Sequence, residues 1–256
     1  MDTLTVCALG PTPYGQGMAL QDGLVAARAA GETGDWLVYP DHPRVLTIGR
    51  NPSEGNLLLD RAELARRGLD VVEVPRGGDV TWHGPGQLVG YPIVQLDRVD
   101  RDLHRWLRVL EQTIMQVVKR YGLTGVRIPG RTGVWLSPER KLASIGVAVR
   151  RWVGYHGFAL NVAPDLADFE QCIHPCGLHG IQMTSMAEAL GPGAPSVSEV
   201  REAVTAELAA LLGYEGVTVA TADTAYQVAG IARHDASSQR QNPSGPGSIP
   251  QGVNPW

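Results

Sequence analysis

Between Pro75 and Pro92 the chain reads PRGGDVTWHGPGQLVGYP, five glycines, three prolines and one histidine set between two apolar, strand-like runs. Glycine opens backbone angles closed to other residues and lets main chain come close to a ligand, while Pro85 between Gly84 and Gly86 stiffens one turn. The stretch is therefore read as a site loop and not as a core element. It joins a strand over 71–74 to one over 88–94, and it carries Arg76, Thr81, His83 and Gln87, which a plain turn does not require.

The rest of the chain is long enough to surround such a loop with a substantial core, since 43% of its 256 residues are apolar. No apolar run approaches the roughly 20 residues of a membrane span, and the start MDTLTVCALGP lacks the basic and apolar regions of a signal peptide. Cytoplasmic location and no membrane association are the expectation. Three cysteines, Cys7, Cys172 and Cys176, are too few for a secreted disulfide framework and agree with a reducing compartment. A formal net charge of -4 argues against a nucleic-acid partner, because such binding relies on basic surface to displace counterions from phosphates.

Hydrophobic periodicity predicts a strand over 3–9, a helix over 18–30, and two short strands over 36–39 and 45–48 joined as a hairpin by Pro40-Asp41-His42-Pro43. Asn51 to Asn56 reads as loop, and Asp60 to Arg67 as a short capped helix stopped by Gly68. The strongest helix begins at Asp100 or Asp102, carries Leu103, Leu107, Leu110, Ile114, Val117 and Val118 as an apolar stripe, and ends at Gly122. Short strands follow over 126–128, 133–136, 142–150 and 152–162, with Gly146, Gly154 and Gly157 inside them. Glycine within a strand marks a bulge or a close approach of backbone, so these three form a second site-like cluster near Lys141. A helical turn over 165–171 and a clean amphipathic helix over 198–212 complete the pattern. The fold class is α+β with a mixed β-sheet and packed helices, one domain over 1–232 and a disordered Ser/Gln/Asn/Pro/Gly tail over 233–256.

Cys176, between Pro175 and Gly177, sits in an irregular stretch and suits a nucleophile, whereas Cys7 in an apolar strand reads as inert. Cys172, His174, Cys176 and His179 are all residue types that bind zinc. Four ligands within eight residues, interrupted by Pro175 and Gly177, would close no useful loop, so no metal and no cofactor is expected. Lys141 opens the strand KLASIGVAV beside Ser144 and Gly146, and a lysine near a thiol favours the thiolate. His83 and His156 each adjoin a glycine, and the residues alone do not choose between them. They yield a thiol-based site with no assigned substrate.

At RGGDVTWHGPGQLVGYPI, KLASIGVAV, HGFALNV and HPCGLHGIQMTS the sequence resembles the octanoyltransferases of lipoic acid biosynthesis, over about residues 35 to 215. The resemblance implies a fold similar to the biotin and lipoate protein ligase catalytic domain. The implied reaction is transfer of an octanoyl group from acyl carrier protein to a lysine of a lipoyl domain, in 2-oxoacid dehydrogenase complexes or the glycine cleavage H protein. It also implies that Cys176 is the acyl-thioester nucleophile and that Lys141 lowers the thiol pKa and exchanges protons. By the same likeness Arg76, Gly77, Gly78, Asp79, Val80, Thr81, Trp82 and His83, with Ser144, Ile145, Gly146, Gly157, Phe158 and Ala159, line the substrate site. Two rivals differ in chemistry: an ATP-dependent lipoate or biotin ligase, and a non-catalytic protein that binds lipoyl domains.

Overall fold

The computed structural model describes residues 2–50, 57–173 and 180–233. Among them the strands are β1 (Thr3–Pro11), β2 (Trp36–Asp41), β3 (Val45–Ile48), β4 (Asp70–Glu73), β5 (Val80–His83), β6 (Gln87–Gln95), β7 (Val126–Ile128), β8 (Arg131–Ser137), β9 (Arg140–Arg150), β10 (Val153–Asn161), β11 (Gln182–Met183) and β12 (Gly216–Val219). The helices are α1 (Tyr14–Ala30), α2 (Arg61–Arg66), α3 (Leu103–Arg120), α4 (Ala167–Cys172), α5 (Met186–Leu190), α6 (Val197–Leu212) and α7 (Ala222–Val228). A large sheet runs in the order β12-β1-β2-β6-β10-β9-β8-β7, with β11 beside β9, and a small sheet runs β4-β3-β5. Both are mixed: β1 lies parallel to β2 and β12, while β6, β10 and β9 pair antiparallel.

Helices cover both faces of the large sheet. On one face α3 and α6 bury Trp106, Leu110, Ile114, Val204 and Leu208 against Leu88, Phe158 and Leu160. On the other, Leu20, Leu24 and Val25 of α1 and Ala225 and Tyr226 of α7 pack on Val38, Tyr91 and Ile93. Each of these large apolar side chains contributes about 1.5–3 kcal/mol on leaving water. The ends of α3 follow local chemistry: the Asp102 carboxylate accepts from the backbone N–H of His104 at 2.8 Å and of Arg105 at 3.1 Å. Its stripe is rotated from the sequence reading, because Trp106 is buried and Leu103 is exposed. The start of α6 is a reciprocal cap between Ser196 and Glu199.

Two sequence expectations fail for the same reason. β2 and β3 are not a hairpin, since β2 pairs with β1 and β6 whereas β3 pairs with β4 and β5 in the other sheet. His42 between them is buried, with Nδ1 2.8 Å from Thr12 O, so the Pro-Asp-His-Pro corner turns its histidine into the interior while Asp41 and Pro43 stay exposed. Within the glycine-rich stretch Val80–His83 is a strand, not loop, because β3 supplies the pairing partner that no local pattern reveals. The short β12 and α7, absent from the sequence reading, are held by β1 and α1. The expected loop over 51–56 and the tail from residue 234 lie outside the described residues.

Asp35 ties the distant parts of this architecture together. Its buried carboxylate accepts from Arg28 Nε at 2.6 Å, Arg98 Nε at 3.0 Å, Tyr214 Oη at 2.7 Å and the Gln95 backbone N–H at 2.9 Å. Asp35→Ala is expected to cost about 3 kcal/mol, the low end for breaking a buried pair, since both guanidiniums keep some contact with water. Urea unfolding that shows less than a third of this loss would remove the carboxylate from the list of main supports.

Candidate active site

A cavity of about 540 Å³ opens between the β9–β10 part of the large sheet, the residues leading into β5, and the β7–β8 turn. Residues 76–81, His83, 144–146 and 157–159 all line it, and so does Lys141. The segments that sequence singled out separately therefore meet in one place. The meeting is enforced by backbone: the Gly77 N–H donates to Val147 O at 2.9 Å, and Gly146 and Gly157 face one another across the β9–β10 ladder. A Cβ on Gly157 would lie 2.3 Å from Gly90 O and 2.5 Å from Pro92 Cδ, so the neighbouring strand leaves room for no side chain there.

Two members of the expected set lie elsewhere. Trp82 is packed with Leu46, Leu64 and Phe169 in the core behind the small sheet and is not on the cavity wall. Strand alternation explains this, because Thr81 and His83 face the cavity and the residue between them must point away. Gly154 likewise serves packing, with its Cα face against the Trp106 indole. Cys176, with His174 and His179 beside it, lies outside the described residues. The described residues after it are informative: Gln182 and Met183 pair with Arg140 and Lys141, and the Thr184 N–H donates to Lys141 O at 2.9 Å.

Lys141 is 6% exposed, its ammonium 5.3 Å from the centroid of the buried Trp135 ring. Its stem is confined on the other side by Gly133, where a Cβ would come within 2.9 Å of Lys141 Cε. Gly133 is itself held by the buried Glu111, whose Oε1 accepts from the Gly133 N–H at 3.2 Å. The other Glu111 oxygen accepts from Arg108 Nη1 at 2.6 Å and Arg127 Nε at 2.8 Å. The lysine is thus a gripped side chain and not a solvated surface charge.

Arg76 is nearly as buried. Its Nη2 donates to Thr47 O and Oγ1, each at 2.9 Å, and Nη1 to Gly77 O at 3.1 Å. Burial lowers its pKa, though a guanidinium stays charged. Tyr14, Tyr91, Phe169, Met183 and the turn over 129–132 also line the cavity and were given no role by the sequence reading, and His156, which that reading named as a candidate beside a glycine, lines it too. Tyr14 and Tyr91 arrive from α1 and β6 by tertiary packing alone. His156 did have a signal, a polar residue beside a strand glycine. It adopts φ 56°, a left-handed conformation costing of order 1–3 kcal/mol, and its backbone N–H is met by Gln21 Oε1 at 2.7 Å.

The three histidines buried among the described residues, His42, His83 and His156, are neutral. Burial pushes His83 and His156 down to about 3 and His42 down to about 4, with the Thr12 carbonyl partly opposing the shift at His42. In the unfolded chain each binds a proton near pH 6.5, so between about pH 6.5 and 3 the unfolded state holds more protons. Their stabilising contribution is complete above pH 6.5 and is lost as pH falls, by up to about 1.4 kcal/mol per unit for each histidine. The thermal midpoint is expected to drop steadily from pH 6.5 to 4.5, and a midpoint unchanged over that range would contradict neutral burial.

Of the arginines Arg44, Arg50, Arg150 and Arg151, which could meet an acidic partner, two are paired within the chain. Arg44 pairs with Asp168, and Arg150 with Asp22 at 2.9 Å.

Comparison with known proteins agrees with this geometry. Residues 13–209 match the model of the lipoyl protein ligase A/B catalytic domain family. A Geobacter metallireducens octanoyltransferase is 47% identical over 204 residues, which are 80% of this chain and 91% of the relative. A Myxococcus xanthus octanoyltransferase is 45% identical over 209 residues, 80% of this chain but only 58% of that longer relative. The solved structure of a putative lipoate protein ligase from T. acidophilum with bound lipoic acid has the same fold, with a TM-score of 0.69 at 16% identity, over 90% of this chain and 93% of that one.

Proposed function

The chain belongs to the lipoyl protein ligase A/B catalytic-domain family, and from that membership we propose that it is an acyltransferase carrying octanoyl groups from acyl carrier protein, through a thioester on Cys176, to the lysine of a lipoyl domain. The observation that carries this reading is the placement of Lys141: a buried lysine gripped between Trp135 and Gly133 on the wall of a half-open cavity lined by both polar and apolar side chains. A surface lysine would keep its charge in water. Here the ammonium is held where a neighbouring thiol would gain from it.

The Cys176 thiolate attacks the carbonyl carbon of the octanoyl thioester, and the bond to the carrier sulfur breaks. The carrier thiolate takes a proton from the Lys141 ammonium, which leaves Lys141 neutral. A deprotonated acceptor lysine then attacks the Cys176 thioester, Lys141 takes the proton that the new C–N bond displaces, and the Cys176 thiolate departs. The first step exchanges one thioester for another of similar energy. Formation of the amide makes the second one-way. Ile145, Phe158 and Ala159 offer the apolar wall an eight-carbon chain needs.

The acceptors on this reading are lipoyl domains of 2-oxoacid dehydrogenase complexes and the glycine cleavage H protein, and the enzyme works in the cytoplasm. A second reading has support, because the family model covers ligases and the fold is shared with a lipoate-protein ligase A solved with ATP. Intact-protein mass spectrometry separates them. Incubation with octanoyl carrier protein and no ATP is expected to add one octanoyl group, mapped to Cys176; absence of the adduct with activity only in the presence of ATP and free acid would establish the ligase instead.

A further inference from the structure

The cavity wall carries polar atoms for which a plain alkyl chain has no use, and the hydrogen bonds beside His83 decide their character from a distance. Thr184 O is a backbone carbonyl and only accepts, so the Asn161 amide that meets it at 3.0 Å presents Nδ2 there and turns Oδ1 toward Gln87. Asn161 Oδ1 also only accepts. Gln87 therefore presents Nε2 to it at 2.9 Å, an orientation required as well by Trp82 O at 3.3 Å. Gln87 Oε1 is left facing His83 Nδ1 at 2.8 Å, and that nitrogen must carry the proton. Because the imidazole is neutral, its Nε2 holds a lone pair on a ring that lines the cavity.

Groups of complementary kind stand close by. Arg76 Nε–H is buried with no partner among the described residues, and neither ring nitrogen of His156 has one, although His156 is only 2% exposed. Both residues line the same cavity and are near enough to act electrostatically on His83. Buried polar atoms are seldom left unpaired, and a left-handed residue held in place by Gln21 is not there by default. A lone pair and N–H donors on residues that line one cavity call for a group that both donates and accepts. A hydroxyl does both, a carboxylate cannot donate to His83, an ammonium cannot accept from Arg76, and a methyl does neither.

We infer that His83, Arg76 and His156 form a hydroxyl-binding subsite in the cavity, so that the enzyme takes medium-chain acyl groups bearing a hydroxyl along the chain as well as unsubstituted octanoyl. The inference rests on the octanoyl-transfer reading and extends it to a second substrate class. Gln87 and Asn161, which belong to the glycine-rich and HGFALN motifs, are then positioning residues that keep Nε2 of His83 free of a proton.

Two measurements on the wild-type enzyme test this, and neither depends on a variant folding. Nitrogen-15 NMR of the histidines is expected to show His83 as the Nδ1–H tautomer; the Nε2–H tautomer would overturn the proposal. Transfer from octanoyl pantetheine is then compared with transfer from its 5-, 6-, 7- and 8-hydroxy derivatives. A wholly apolar pocket rejects an added hydroxyl by about 10²-fold. Here at least one position is expected to react within about threefold of octanoyl, or faster, and rejection by about 10²-fold at every position would overturn the subsite.

His156→Phe is expected to change the hydroxyoctanoyl-to-octanoyl ratio of kcat/KM at least tenfold, whatever its absolute rate. A ratio unchanged within twofold means that the polar atoms hold water only, and the proposal falls. If no thioester is transferred at all, octanoyl included, the reading of the reaction has failed. The subsite is then read by calorimetry with the free acids, where a preference of threefold or more for a hydroxyoctanoate supports it and no preference overturns it.

Discussion

Cys176→Ser is expected to keep the native circular dichroism spectrum and lose roughly 10³-fold or more in turnover, because a neutral hydroxyl is a far poorer nucleophile than a thiolate. The other two cysteines make the experiment clean. Cys7 is fully buried and burial pushes its thiol up to about 11, while burial also raises Cys172. Iodoacetamide at neutral pH is therefore expected to label one cysteine, and the octanoyl adduct and the label are expected to compete for it. The serine variant is expected to show neither. Near wild-type turnover in Cys176→Ser, or an octanoyl adduct mapped to another residue, would end the covalent mechanism.

Lys141→Ala is expected to slow transfer from the acyl-enzyme to the lipoyl domain by about 10²–10⁴-fold, the usual effect of deleting a general base, and to slow acylation as well through loss of the ammonium. Lys141→Arg separates the two roles. Its guanidinium keeps the positive charge but does not surrender a proton, so single-turnover acylation is expected to survive better than transfer. The structure sharpens the expectation, since Gly133 and Trp135 leave little room around the lysine stem and the larger head will be displaced. Displacement slows both steps, which makes their ratio the informative quantity. If Lys141→Ala leaves the pH profile of thiol alkylation and both half-reaction rates at wild-type values, the lysine has neither role. His83 is a poor replacement as base, because burial holds it down to about 3.

Legibility in the sequence followed the range of the interactions involved. Caps, glycine stops and helical stripes depend on residues a few positions apart, and so Asp60 was readable as one helix start, Asp100 or Asp102 as another, and Gly68 and Gly122 as glycines at which helices stop. The cavity wall was readable for a related reason. Its residues come as short contiguous motifs, 76–81, 144–146 and 157–159, whose glycines announce close backbone approach, and their likeness to one family supplied the substrate.

Pairing between distant strands decided the rest. No local pattern says that β3 leaves the sheet of β2, that Val80–His83 becomes a strand and so turns Trp82 into the core, or that β12 closes the sheet beside β1. Nor does any motif bring Tyr14 from α1 to stack 5.8 Å from His83, or tie the Glu111 carboxylate to the backbone that confines Lys141. By itself the sequence determined which residues are chemically equipped and which turns are possible, because those are properties of side chains and of φ and ψ. Only the tertiary structure decided which equipped residues share a cavity and in what proton state. Both depend on burial and on partners distant in sequence, as the chain from Thr184 through Asn161 and Gln87 to His83 shows, with its first two links spanning 23 and 74 residues.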